Sequence, residues 1–103
     1  MKKISVIGDG GWGTAIAIHL SKKGLNVTQW GAFPDYIKEL SRKRVNKKFL
    51  PGVKIPEDVF FTADEEEAVK DTHLAVFAVP TPYLRSVLRR FTNVFPRRLP
   101  VVN

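Results

Sequence analysis

The first candidate for chemistry is a glycine-rich run with the spacing G-x-G-x-x-G, formed by Gly8-Asp9-Gly10-Gly11-Trp12-Gly13. It follows a β-rich run and opens a segment of helical periodicity, which is the context that gives this spacing meaning. The first glycine permits a tight turn, the second lets the backbone approach a pyrophosphate, and the third lets helix and strand pack closely. The helix amino terminus adds free N–H groups and partial positive charge. We therefore predict that Gly8, Gly10 and Gly13 shape a dinucleotide-binding turn.

Other interpretations of this run stay open at this point. It also fits a glycine-rich turn without a ligand, or the related turn of an adenosyl-methionine methyltransferase. A ribose-binding carboxylate is expected at the end of the second strand, about 20 residues after the glycines. Gly31, Ala32 and Phe33 occupy that place, and Asp35 comes late. The usual carboxylate for NAD is therefore missing.

The arginine expected for the 2′-phosphate of NADP is also missing from the strand end. Three basic residues lie farther on, Arg42, Lys43 and Arg44. They either reach a phosphate or form a solvated helix face.

Catalytic and metal-binding side chains are scarce. There is no cysteine, which excludes disulfides, thiolate metal sites and a cysteine nucleophile. His19 falls on a helix and His73 precedes a buried strand, and neither position suits a catalytic base or a histidine metal cluster. We predict no catalytic residue and no metal site in this chain.

Length and charge exclude several classes of protein and of binding partner. The 103 residues suffice for one domain, and no apolar run is long enough to span a membrane. The net charge of +7 is distributed in blocks, with basic segments at 22–54 and 85–98 around an acidic block at 57–71. A nucleic-acid domain more often carries one continuous basic face. We therefore expect anion attraction and no nucleic-acid partner.

The periodicity predicts five strands that alternate with helices. The strands are predicted over 4–7, 26–30, 59–61 and 74–79 and from Val101 onward, where the chain stops. Alternation of this kind is typical of an α/β, Rossmann-type, doubly wound parallel sheet in a single domain. We predict the order 3-2-1-4-5, with a ligand crevice beside Gly8 and Pro80 where the first and fourth strands diverge.

The sequence patterns that predict the helices are weaker than those that predict the strands. The first helix is predicted over 12–23, with Ala15 on its buried side; one role for Trp12 is to wedge this helix against the sheet. Asp64 and Glu67 have the spacing of a capping box. Thr81 is the expected cap of the last helix, whose predicted apolar stripe is formed by Leu84, Val87, Leu88 and Phe91. Residues 42–48 are too basic and too weakly periodic for a core segment, and 49–52 form a predicted turn.

Several separated motifs resemble NAD(P)-dependent glycerol-3-phosphate dehydrogenases. They are Ile4-Ser5-Val6-Ile7-Gly8-x-Gly10-x-Trp12-Gly13-Thr14-Ala15, Val27-Thr28-x-Trp30-Gly31, Asn46-x-x-Phe49-Leu50-Pro51-Gly52, and Val79-Pro80 before a helix. The resemblance covers the cofactor domain of that family only. It implies that residues 1–103 are a dinucleotide-binding domain truncated before its end, and that the catalytic carboxyl-terminal domain, with its lysines, is absent.

The resemblance also implies the ligands and the setting. NAD or NADP would be the cofactor, touched by Gly11, Trp12, Ala32, Phe33, Phe49 and Tyr83; packing is the alternative role of Phe49 and Tyr83. The parent enzyme would act on glycerol 3-phosphate or dihydroxyacetone phosphate in the cytoplasm, within glycerol-3-phosphate metabolism and phospholipid biosynthesis, and the resemblance allows for a homodimer. Other readings are a stand-alone nucleotide-binding module or sensor and a basic nucleic-acid binder.

Three positions depart from the family pattern. Asp9 stands where alanine is usual, Gly11 where serine is usual, and Ala32 where bacterial members commonly have arginine. A carboxylate beside a pyrophosphate repels it unless it turns to solvent. We therefore expect weak cofactor binding and no assured preference for NADP.

Overall fold

A parallel sheet forms the centre of the computed structural model, which describes residues 2–96 and 98–102. Its five strands, in chain order, are β1 (Lys3–Ile7), β2 (Asn26–Trp30), β5 (Phe60–Thr62), β6 (Leu74–Phe77) and β7 (Val101–Val102). Their spatial order is β5-β2-β1-β6-β7, and every neighbouring pair is parallel. The predicted fold class and the predicted order 3-2-1-4-5 are confirmed.

Helices cover both faces of this sheet, and alternation along the strands divides the core accordingly. On one face, α1 (Gly11–Lys22) and α2 (Pro34–Lys43) pack over Val6 and Val27. On the other face, α3 (Glu65–Val69) and α4 (Thr81–Phe91) pack over Ile7 and Trp30. The doubly wound arrangement therefore buries β1 and β2 on both faces, as is usual for the central strands of a parallel sheet.

A small antiparallel hairpin follows α2, and the sequence interpretation of this region was wrong. Its strands are β3 (Val45–Asn46) and β4 (Leu50–Lys54), so much of the predicted turn over 49–52 is strand. Asn46 is fully buried despite its basic surroundings. The Arg44 side chain is only 12% exposed and donates to the Pro56 and Val59 carbonyls at 3.0 and 2.6 Å. The basic segment thus contributes polar anchors to the fold.

Smaller predictions also needed correction. Pro80 is the N-cap of α4 and no side chain caps that helix, so the predicted Thr81 cap is wrong. Ala15 is exposed, and Leu88 is 40% exposed, so neither belongs to the core. Asp64 does cap α3, because its carboxylate accepts from the Glu66 N–H at 3.1 Å. The predicted partner Glu67 instead accepts from the Thr62 hydroxyl.

No helix among residues 2–96 and 98–102 has the length and apolar character needed to cross a membrane.

Candidate functional site

A crevice of about 970 Å³ opens at the carboxyl edge of the sheet. It lies where β1 and β6 run side by side while their following helices, α1 and α4, go to opposite faces. Ligands of open parallel sheets bind at this kind of switch point. The crevice is lined by Gly8, Asp9, Gly10, Gly11, Trp12, Trp30, Ala32, Phe33, Phe49, Phe77, Ala78, Val79, Pro80, Tyr83, Ser86, Val87 and Arg90.

The glycine turn forms the floor of the crevice. Gly8 has a φ of +133°, and a Cβ there would collide with the Ala78 carbonyl. A Cβ on Gly13 would collide with the Gly8 carbonyl, so both positions require glycine for packing of α1 against the sheet. Gly10 is different, because a Cβ there would meet nothing within 4 Å. Its free space belongs to the crevice.

The amino terminus of α1 faces the same space. Gly10 is its N-cap, no side chain caps it, and its first turn carries no acidic residue. The first N–H groups of a helix have no partner within the helix, and the helix dipole adds partial positive charge. This end of α1 therefore suits an anion such as a pyrophosphate.

A buried polar network holds the glycine turn from behind. Gln29 donates to the Gly8 carbonyl at 2.8 Å and to the Thr14 hydroxyl at 3.2 Å. Asn46 donates to the Asp9 carbonyl and to the Thr14 hydroxyl, both at 2.8 Å. All three side chains are fully buried. The sequence analysis assigned them no role, although Thr14 and Asn46 lay within the motifs that it singled out.

The β3–β4 hairpin brings Phe49 to the turn. A Cβ on Gly11 would lie 2.6 Å from the Phe49 carbonyl oxygen, so glycine is what lets the hairpin approach. The Phe49 ring is 46% exposed and makes an edge contact with Tyr36 at 6.1 Å between centroids. The Lys48 Nζ lies 5.3 Å from the Phe49 ring centroid. The glycine at position 11, a departure from the family pattern, thus has a structural cause.

Exposed aromatic side chains form the rim of the crevice. Trp12, Phe33 and Tyr83 are 73%, 71% and 63% exposed. Large apolar rings left in water around a cavity mark a ligand or partner surface. The alternative role of Trp12, a wedge between helix and sheet, is wrong because its ring does not enter the core.

Trp30 and Arg90 form one wall, which the sequence analysis did not predict. Trp30 is 1% exposed, and its indole Nε1 has no hydrogen-bond partner among the described residues. The Arg90 guanidinium lies 4.9 Å from the Trp30 ring, and its Nε donates to Glu65 at 2.6 Å. The sequence did not predict a role for Arg90, because the Trp30 ring that it contacts belongs to a strand far away along the chain.

Among the described residues, Asp9 is the one acidic residue that lines the crevice. Its Oδ2 is buried and has no hydrogen-bond partner among the described residues. Burial raises the pKa of the Asp9 carboxyl above its usual value, against smaller opposing effects of its own backbone N–H and of Lys48. One oxygen of this carboxylate is therefore turned away from solvent, although Asp9 as a whole is partly exposed.

Nine of the ten predicted site residues line the crevice; Gly13 lies behind them. Arg42, Lys43 and Arg44 are not among the lining residues. His73 accepts from the Lys3 backbone N–H at 3.0 Å, and His19 is exposed on α1. Within the described residues, no group of three His, Cys, Asp or Glu side chains is placed to hold a metal ion. The described residues of the crevice therefore offer contacts for a ligand but no acid–base pair.

Comparison with known proteins gives a consistent result. The pattern of the family described as NAD-dependent glycerol-3-phosphate dehydrogenase N-terminus matches residues 3–103. A protein of Carboxydothermus hydrogenoformans named glycerol-3-phosphate dehydrogenase (NAD(P)+) is 42% identical over 101 residues, which are 98% of this chain and 30% of that protein. One of Fusobacterium nucleatum with the same name is 42% identical over 103 residues, which are 100% of this chain and 31% of that protein.

A solved structure agrees with these relatives. The crystal structure of glycerol-3-phosphate dehydrogenase from Coxiella burnetii matches with a TM-score of 0.90 and 26% identity, over 97% of this chain and 31% of that one. The chain therefore spans about 30% of the length of the curated relatives that it matches.

Proposed function

Because the chain belongs to the family of amino-terminal domains of NAD-dependent glycerol-3-phosphate dehydrogenases, we propose that its crevice binds NAD or NADP. The observation that carries this proposal is the coincidence of three features at one place. The open side of Gly10, the uncapped amino terminus of α1 and the aromatic rim all face the crevice. A dinucleotide has one anionic centre between two ring systems, and this arrangement complements it.

Different residues of the crevice bind different parts of the cofactor. The backbone of Gly10–Gly13 holds the pyrophosphate through its N–H groups, and Gly8 and Gly13 keep the turn in the shape that this requires. Ala32, Phe33, Phe49, Pro80 and Tyr83 flank the rest of the cofactor. Trp12 and Tyr83 offer exposed ring faces for stacking.

The parent reaction is also part of the proposal. We propose that the full-length protein interconverts glycerol 3-phosphate and dihydroxyacetone phosphate, with the bound nicotinamide supplying or accepting the hydride. This chain's own residues bind the cofactor and orient it, and the substrate phosphate and the transferred proton are handled by a part of the parent that this chain does not include. The homodimer and the cytoplasmic setting stay predictions of the family resemblance.

The chain alone should bind weakly and reduce nothing. Turnover needs a general acid–base group within about 3 Å of the substrate oxygen. The only acidic side chain lining the crevice is Asp9, among the described residues, and one of its oxygens is buried against the protein. The proposed domain thus supplies affinity, and the catalytic groups come from elsewhere in the parent.

Titration tests the proposal. The purified 103-residue chain is titrated with NADH, with NADPH and with a short DNA duplex at two salt concentrations, using the fluorescence of Trp12 and Trp30 beside the crevice. Saturable binding of a dinucleotide, with little dependence on salt, is expected. Duplex binding with a steep salt dependence and no dinucleotide binding would identify a nucleic-acid domain instead.

A turnover assay tests the division of labour. NADH oxidation is followed with dihydroxyacetone phosphate at high protein concentration, and no turnover is expected. Reproducible turnover by the purified chain would mean that the catalytic groups lie within residues 1–103.

A further inference from the structure

Asp9 and the end of β2 meet at the crevice. The sheet register pairs Ile7 of β1 with Trp30 of β2, so the segments that follow these two residues leave the sheet side by side. A Cβ on Gly31 would fall on the Asp9 Oδ2, would lie 2.8 Å from the Asp9 Cγ and would meet Ile37 at 2.6 Å. The Asp9 carboxyl therefore occupies the place beside the end of β2, and glycine at position 31 makes room for it.

This is the place from which a dinucleotide-binding fold usually presents its ribose-binding carboxylate. In this chain β2 ends in Gly31, Ala32 and Phe33, none of which carries a charge or a side-chain hydrogen-bond acceptor. The Asp9 carboxylate lies at this place instead, although Asp9 belongs to the turn after β1. Sequence spacing did not indicate this role for Asp9, because the ribose-binding acid is expected about 20 residues downstream of the glycines.

Asp9 lines the crevice and is partly exposed, although its Oδ2 is buried against Gly31. Its Oδ2 has no hydrogen-bond partner among the described residues, and a buried acceptor without a donor destabilises a fold. Among the described residues, the cation that acts on it is Lys48, an exposed residue of the β3–β4 turn, and its effect is weaker than that of burial. Tyr36 of α2 is the other titratable neighbour. Burial raises the pKa of its hydroxyl, and the Asp9 charge adds to this rise. A buried carboxylate oxygen that no described residue satisfies, beside the end of β2, points to a role in ligand binding.

We propose that Asp9 is the residue that selects NAD over NADP, by accepting a hydrogen bond from the adenosine ribose hydroxyls and repelling a 2′-phosphate. This inference rests on the proposed binding of a dinucleotide in the crevice. It deepens that proposal, because a bound pyrophosphate belongs to both cofactors and only the 2′ position distinguishes them. Repulsion of this kind does not require direct contact, since two negative groups in a partly buried site interact over several ångströms.

The test compares two cofactors on four proteins. Dissociation constants for NADH and NADPH are measured with the 103-residue chain, with Asp9→Asn, with Asp9→Ala and with the control Asp35→Asn. Asp9→Asn keeps the shape and removes the charge, whereas Asp9→Ala also removes the acceptor. Asp35 is an exposed acid in the first turn of α2 that does not line the crevice. Circular dichroism establishes that each variant is folded.

We expect the unmodified chain to bind NADH at least about tenfold more tightly than NADPH. Both Asp9 variants should reduce this ratio to near one, and Asp35→Asn should leave it unchanged. A chain that binds NADPH as tightly as NADH, an unchanged ratio in folded Asp9→Asn and Asp9→Ala, or an equal shift in Asp35→Asn would overturn the inference. Failure of the chain to bind either cofactor would instead overturn the proposed function.

Discussion

The floor and the rim of the crevice are built in different ways. The floor is backbone: Gly8, Gly10 and Gly13 shape it, and a fully buried network of Thr14, Gln29 and Asn46 holds it from behind. The rim consists of the side chains of Trp12, Phe33 and Tyr83, all of them substantially exposed. A floor of this kind gives the same anion site whatever the ligand, whereas exposed rings gain their contacts only when a ligand is present. Changes to the floor should therefore affect folding or abolish binding, and changes to the rim should only weaken binding.

The largest expected effect falls on the part of the floor that faces inward. Gly13→Ala places a methyl group against the Gly8 carbonyl, so α1 must move away from the sheet. We expect the free energy of unfolding to fall by about 3 kcal/mol, as for overpacking in a rigid core. Urea denaturation followed by circular dichroism measures this change. An unchanged midpoint would show that the close packing of α1 on the turn is not a constraint.

A substitution in the part of the floor that faces the crevice should reduce cofactor affinity much more than it reduces stability. Gly10→Val adds a side chain where nothing lies within 4 Å, at an extended backbone conformation that any residue can adopt. We expect a loss of less than about 1 kcal/mol in the free energy of unfolding, typical of a poorer N-cap. NADH affinity should fall at least about thirtyfold, equivalent to roughly 2 kcal/mol. Unchanged NADH affinity in the folded variant would separate the glycine turn from the binding site.

Asp9 lies between the floor and the rim, and its carboxyl should make the stability of the fold depend on pH. Burial raises the pKa of the Asp9 carboxyl in the folded chain, so the folded state binds this proton more tightly than the unfolded state. Stability should then decrease as the pH rises from below the unfolded pKa through the raised folded pKa, and stay lower above it. Asp9→Ala removes this loss and should raise the free energy of unfolding by about 1 kcal/mol at pH 7.

The same gain should vanish at pH values below the unfolded pKa of Asp9, where the carboxyl is protonated in both states. Thermal denaturation of both proteins from pH 3 to pH 8 measures the difference. A variant that is less stable than the unmodified chain at pH 7 would contradict the electrostatic description of Asp9.

The smallest effect is expected at the rim. Tyr83→Ala removes an exposed ring that packs little against the protein, so the free energy of unfolding should stay within about 0.5 kcal/mol of the original. NADH affinity should fall by about threefold, because one ring face is lost from the crevice. Phe60→Ala is the control, since Phe60 is 49% exposed on β5 and does not line the crevice. Equal loss of affinity in both variants would show that the rim has no particular role.

The sequence predicts the floor better than the supports behind it. Gly8 and Gly13 are visible in sequence because glycine spacing reports steric demands of the local backbone. The roles of Gln29 and Asn46 are not visible, because each depends on a partner that is 21 or more residues away along the chain, as in the contacts with Gly8 and Asp9. Burial of Asn46 overrides the basic character of its neighbours, which had indicated a surface segment.

The strand order was predictable for a related reason. Alternating strands and helices with right-handed connections leave few arrangements, and apolar runs such as 74–79 indicate a central position in the sheet. The hairpin of β3 and β4 was missed because Val45–Asn46 is only two residues long and is separated from β4 by the three residues Lys47, Lys48 and Phe49. Its function is to bring Phe49 to Gly11, a tertiary contact that no local pattern encodes.

Amide chemical shifts during an NADH titration test the central claim most directly. In the ¹⁵N-labelled chain, the backbone amides of Gly10, Gly11 and Trp12 should shift most, followed by those of Phe33 and Tyr83. Lys3, Asn26 and His73 line a separate, smaller cavity at the other edge of the sheet, and their amides should stay in place. Saturable shifts confined to the crevice are what the proposed function predicts. Shifts concentrated at the opposite edge, or none at millimolar NADH, would contradict it.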